Sequence, residues 1–189
     1  MGHRPRLLLL VLVVMMTIAA AIDARASDID EGAPDKAALF PHIRGTDPQL
    51  RALIDDATET SATVRELLKR IAASDVVVFV ACEPDLSVRA SGRLNFMAAA
   101  GGFRYVVIRL KPKRRTAAIA MLAHELQHAA EIAAAPSIVD EASMTREYER
   151  IGYKSQSVHG GLAFETQAAV DTGRRVVEEL SVTKTTATD

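Results

Sequence analysis

One stretch limits what this chain can become. From Arg115 to Ala135 there is no proline or glycine, and Ala, Leu, Met, Glu and Gln, all strong helix formers, dominate. The composition predicts a long helix, ended by Pro136. Ile119, Leu122, Leu126, Ala130 and Ala133 recur at helical spacing and form a core stripe. The other side carries Ala117, Met121, His124, His128 and Ile132, so it is not a solvated face either. A helix apolar on both sides belongs inside the protein, and two histidines on it need partners.

The histidines stand four residues apart, in His124-Glu125-Leu126-Gln127-His128. That spacing stacks them on one helix face, where both can offer a ring nitrogen to one ion. Glu125 sits one step round the helix, where its carboxylate reaches a water rather than the ion. His-Glu-x-x-His on a helix is the pattern in which two histidines hold Zn2+ and the glutamate serves as general base. The pattern is short, and two ordinary helix histidines also satisfy it; the buried setting favours the metal.

The start of the chain predicts export. Met1 to Arg6 is basic, Leu7 to Ile22 is apolar apart from Thr17, and Ala24-Arg25-Ala26 is a small-x-small cleavage pattern. Residues 1–26 therefore read as a signal peptide, which implies a secreted or periplasmic protein with no stable membrane insertion after cleavage. The alternative, an uncleaved anchor, would want a longer apolar run, of about 20 residues. Cys82 is the only cysteine, so no intramolecular disulfide forms and the domain relies on its core. A net charge of −1 and the absence of tryptophan argue against a nucleic-acid partner.

The remainder reads as a flexible lead-in (27–47), a single domain (48–180) and a polar, disordered tail (181–189). Pro48 to Ala73 is expected to be helical, with any break near Thr58. Asp75 to Cys82 is a β-branched run, hence a strand buried on both faces, with Cys82 as inert packing at its end. Val88 to Met97 reads as an edge strand interrupted at Ser91-Gly92, Gly101-Gly102 as a turn, and Phe103 to Leu110 as a second clear strand. The basic run Lys111 to Arg115 reads as a solvated connector. A short helix (Asp140 to Ile151), a loop (Gly152 to Gly161) and a last helix (about Leu162 to Leu180) follow. This order predicts an α+β fold: a small, mainly antiparallel sheet, the histidine helix, and a later helix bearing a glutamate.

A catalytic zinc usually has three protein ligands and a water. The third donor is open among Glu131, Glu147 and Glu165. Glu131 lies one turn beyond His128 and suits a hydrogen bond to that ring better than the metal. Glu147 sits in a charged segment, Arg146-Glu147-Tyr148-Glu149-Arg150, as a surface ion-pair residue would. Glu165 falls on the apolar face of the expected last helix with Leu162, Ala169, Gly173, Val176 and Leu180, where a carboxylate needs compensation. It is the best candidate of the three.

His124-Glu125-Leu126-Gln127-His128 with a downstream glutamate resembles the gluzincins, the thermolysin-like zinc metallopeptidases, in their minimal form. The resemblance covers about Asp75 to Leu180. It implies that Glu125 activates water, that Glu165 joins His124 and His128 on Zn2+, and that the substrate is a peptide or protein. The chain lacks the Asn-Glu-x-x-Ser-Asp pattern of thermolysin, and Glu147 lies nearer the usual gluzincin separation than Glu165 does. The donor for a tetrahedral oxyanion would be Tyr153 or His159. The rival reading is a non-catalytic zinc-binding or interaction domain derived from a peptidase, which would need no glutamate beside the first histidine.

Overall fold

A computed structural model describes residues 40–86, 92–155 and 163–186. The expected signal peptide, His159, Leu162 and most of the lead-in lie outside the described residues. No helix among the described residues is long and apolar enough to cross a membrane.

The fold is α+β. In chain order its elements are β1 (Ile43–Gly45), α1 (Pro48–Thr60), α2 (Ala62–Ala72), β2 (Val76–Cys82), β3 (Gly92–Ala100), β4 (Phe103–Leu110), α3 (Arg115–Ala134), α4 (Glu141–Ile151), β5 (Tyr153–Ser155), β6 (Ala163–Glu165) and α5 (Gln167–Thr186). Strands β1-β2-β4-β3, in that order, form one sheet, and β5 and β6 form a separate two-stranded ribbon. The expected mainly antiparallel sheet is corrected to a mixed one: β1 pairs with β2, and β2 with β4, in parallel, and only β3–β4 is antiparallel. Part of the reason is β1, three residues inside the expected lead-in, which adds a parallel pair on the far edge. The rest is that the chain passes from β2 to the outer edge as β3, then returns as β4 between them.

The β3–β4 hairpin turns at Gly101 and Gly102, both at positive φ (59° and 81°), the conformation a tight two-residue hairpin turn demands. β3 runs unbroken from Gly92 to Ala100, and the first part of the expected edge strand, Val88 to Ser91, lies outside the described residues. The first expected helix is two helices. Ser61 is extended (φ −124°, ψ 121°) and ends α1 while capping α2, its hydroxyl accepting from Val64 N at 3.1 Å and donating to Glu179. The break falls at Ser61 and not at Thr58, whose hydroxyl instead bonds back to Ile54 O within the turn. The last helix starts at Gln167, not Leu162, and runs to Thr186 into the expected tail. Cys82, expected to be packed, is exposed at the strand end.

Helix α3 is the centre of the domain. From Ile119 to Ala133 no residue is exposed. Ile119, Leu122, Leu126 and Ala130 join Val78, Val80, Val106 and Ile108 of the sheet and Val64, Leu68 and Ile71 of α2 in one core. Each buried Leu or Ile of this set removes apolar surface worth roughly 1.5–3 kcal/mol from water. α5 closes the other side with Ala169, Val176 and Leu180 buried, and Gly173 lies against the α3 backbone, where an added Cβ would stand 3.5 Å from Ala120 O.

The C-terminal end of α3 is held from the sheet. The helix has no basic residue in its last turn, so its carbonyl ends lack a local cation. Arg104 of β4, only 3% exposed, supplies one: Nη1 donates to Ile132 O and Ala135 O, both at 2.8 Å, and to Ile138 O at 3.3 Å. Its Nε and Nη2 donate to Asp75 at 2.8 and 2.6 Å. The Arg104 hydrogen bond holds the Asp75 carboxyl below its ordinary value of 3.8. Its stabilising contribution is therefore full above that value and is lost as pH falls through the lowered one. Arg104→Met, which takes a charged donor from three carbonyls and from the Asp75 carboxylate, should cost roughly 2–4 kcal/mol in urea unfolding at pH 7. Asp75→Asn should be destabilised at pH 7 too, and its deficit against wild type should shrink below about pH 4; a deficit independent of pH would mean that the ion pair is not its source.

Candidate metal centre

The site is built from α3 and the strand that precedes α5. His124 and His128 lie one turn apart, ring centroids 5.1 Å apart and interplanar angle 79°. Glu165 faces both: Oε2 is 3.2 Å from His124 Nε2 and Oε1 is 3.3 Å from His128 Nε2. One ligand atom from each residue can be chosen so that all lie within 4.8 Å of one another. A tetrahedral zinc with bonds of about 2.0–2.1 Å spaces its ligand atoms roughly 3.3 Å apart, so the His–Glu separations already suit an ion. Two imidazoles and a carboxylate are also the donor types zinc takes.

Glu165 arrives by a route other than the expected one. It is the last residue of β6, not a residue on the apolar face of a helix. The three-residue ribbon pairs Tyr153 with Glu165, Lys154 with Phe164 and Ser155 with Ala163. Phe164 stacks on Tyr148 of α4 (6.5 Å, 28°), which anchors the ribbon against α4. Of the other two candidates, Glu147 pairs with Arg150 on its own helix. Glu131 takes the part its position implied, its Oε2 lying 2.9 Å from His128 Nδ1. Tyr153 stands across the ribbon from Glu165, sharing its face, and is 50% exposed.

Charge decides how the cluster can exist. Both ring nitrogens of His128 face carboxylates, and a neutral imidazole has only one N–H to give. Burial disfavours the charged ring, but the hydrogen bonds to Glu131 and Glu165 prevail and push His128 up to about 10. Burial likewise opposes ionisation of Glu165, yet the His124 and His128 hydrogen bonds hold it down at about 2. Glu131 is lowered in spite of its burial, through His128, Thr166 and Gln127. The cluster keeps its positive charge on the His128 ring, and a divalent cation between Nε2 and Glu165 would supply it without a second ring proton.

Glu125 is different. It is 4% exposed, and burial raises its pKa, with attraction to His128 and His124 too weak to reverse the shift. Its carboxylate lies against the start of the edge strand: a Cβ added to Gly92 would come within 2.6 Å of Glu125 Oε1 and 2.9 Å of Met121 Sδ. Three site residues thus escaped the sequence reading in their roles. The sequence gives Gly92 no part beside Glu125, places Tyr148 only in a charged segment, and puts Thr166 inside the expected last helix. Tyr148 is 6% exposed, donates to His128 O at 3.1 Å and packs edge-on against the His128 ring at 5.5 Å. For Thr166 a signal existed, since threonine directly before a helical run is an N-cap residue type.

Against protein-family models, curated proteins and solved structures, the chain matches none.

The Gly92 contact generates a prediction that separates function from stability. The atoms in the way are ends of flexible side chains, and Gly92 is not at positive φ, so alanine is conformationally acceptable. Gly92→Ala should keep its unfolding free energy within about 1 kcal/mol of wild type while a crystal structure of the variant finds the Glu125 carboxylate displaced. A large stability loss with Glu125 unmoved would make the contact one of packing only.

Proposed function

We propose that the protein is an exported zinc-dependent metallopeptidase. His124, His128 and Glu165 hold the metal, and Glu125 is the general base. The observation that carries this reading is the convergence of both Nε2 atoms of the His-Glu-x-x-His helix on one carboxylate from a different element.

Zinc bound there supplies Lewis acidity to a water and to the scissile carbonyl. Glu125 then takes the proton of the attacking water on a carboxylate oxygen. Its raised pKa suits it to hold that proton and hand it to the departing amine. Glu131 keeps the proton of His128 on Nδ1, so that Nε2 presents its lone pair to the metal. Tyr153, opposite Glu165, is the candidate donor to the oxyanion.

A peptide substrate fits the surroundings. β3 is the outer strand of the sheet and begins at Gly92, beside Glu125. A strand edge offers main-chain donors and acceptors to an extended peptide, which would bring its backbone past the general base.

Metal analysis of the purified protein should find about one zinc per chain, lost in Glu165→Ala and kept in Glu147→Ala. Glu125→Gln should keep the zinc and lose about 10²–10⁴-fold in peptide hydrolysis. A wild-type protein that carries no zinc and takes up none on addition would overturn the reading.

A further inference from the structure

One residue touches both halves of the site. Thr166 follows Glu165 directly and is 3% exposed. Its backbone amide donates to Glu165 Oε1 at 2.9 Å. Its hydroxyl accepts from Ala169 N at 3.1 Å, capping α5, and donates to Glu131 Oε1 at 2.8 Å. Glu131 in turn holds His128 Nδ1 through its other oxygen at 2.9 Å. We infer that Thr166 is a positioning residue for the metal centre: its hydroxyl fixes the Glu131 carboxylate that orients His128, in register with the Glu165 carboxylate held by the same residue's amide.

Capping alone does not account for this arrangement. A hydroxyl has one proton and two lone pairs, and capping uses only a lone pair. The proton is free to go elsewhere, and it goes to Glu131. Aspartate caps a helix as well as threonine does, but it has no proton to give and would set a second charge against Glu131. Gln127 also donates to Glu131 Oε1, at 3.3 Å, from the same helix as Glu131. Thr166 is therefore the donor that joins Glu131 to the segment carrying Glu165. Without it, the Glu131 carboxylate is left to Gln127 and His128 of α3 and to Tyr148 of α4, and loses its tie to the segment carrying Glu165.

The inference rests on the zinc reading above, and its test separates the two. Zinc affinity of the purified full chain would be measured by competition with a chromophoric chelator, with thermal unfolding of the metal-free protein alongside. Thr166→Val removes the proton and keeps the shape; its zinc affinity should fall about 10-fold or more, as loss of a group that orients a ligand does. Thr166→Ser restores the hydroxyl and should stay within about 3-fold of wild type. Val176→Ala, fully buried on the same helix, loosens α5 without touching the network and should leave affinity unchanged. Thr166→Val combined with Glu131→Gln should bind no more weakly than Glu131→Gln alone, because the two act through one path. Wild-type affinity in Thr166→Val, or an equal loss in Val176→Ala, overturns the inference while the zinc site stands. A wild type that binds no zinc overturns both.

Discussion

The structure depends on keeping ionisable groups inside a helix that has no solvent side. Burying a lone charge costs several kcal/mol even after relaxation, and a hydrogen bond to a charged group returns about 1.5–3 kcal/mol. One partner each would therefore not suffice. His128 is met by Glu131 and Glu165, and Glu131 by His128, Thr166 and Gln127. These partners come from the ribbon and from the start of α5 as well as from α3. The polar cluster thus dictates what must pack around the helix, much as the apolar stripe dictates the sheet beneath it.

The rest of the fold serves to deliver those partners. α3 is pinned at its C-terminal end by Arg104, which reaches out of β4 to three carbonyls. That contact lies one to two turns beyond His128, so the sheet sets the depth at which the histidines sit. On the far side, α4 presents Tyr148 to the His128 ring and, through Phe164, to the ribbon. The ribbon ends on Glu165, and the next residue starts α5. Candidate ligand, cap and helix start fall on consecutive residues, so the start of α5 and the carboxylate are placed together.

What the sequence disclosed follows physical range. Helix α3 was legible end to end because its composition and spacing are local properties, and so were β2, β4 and the Gly101-Gly102 turn. The direction of strand pairing was not. It depends on β1, too short to carry a pattern, and on β4 passing between β2 and β3, which no local periodicity records. The sequence points to Glu165 as a carboxylate on the apolar face of a helix, and it stands instead at the end of β6. It was still the residue that faces both histidines, because what betrayed it was an acid among apolar neighbours, and that holds for the short strand as well. Ribbon β5–β6 was invisible: three-residue strands show neither alternation nor length. Gly92 and Thr166 act through Glu125 and Glu131, each more than thirty positions away and beyond any windowed reading.

What favours the proposed catalytic reading over a zinc that only fastens α3 to the ribbon is Glu125. A structural site needs ligands and nothing beside them, and such sites are closed. Glu125 is outside the group of three donors, yet it is buried next to them with its pKa raised by that burial. In a purely structural centre an apolar residue at this position would pack at no desolvation cost. The edge strand also yields room to it, since Gly92 leaves the space that any side chain would fill. A fold that houses one buried acid beside a candidate metal site, and leaves a side chain out to make room for it, departs from packing logic in the way functional positions do. Burial, with the raised pKa that it causes, and nearness to the three donors are what the proposed general base needs, and Glu125 combines them.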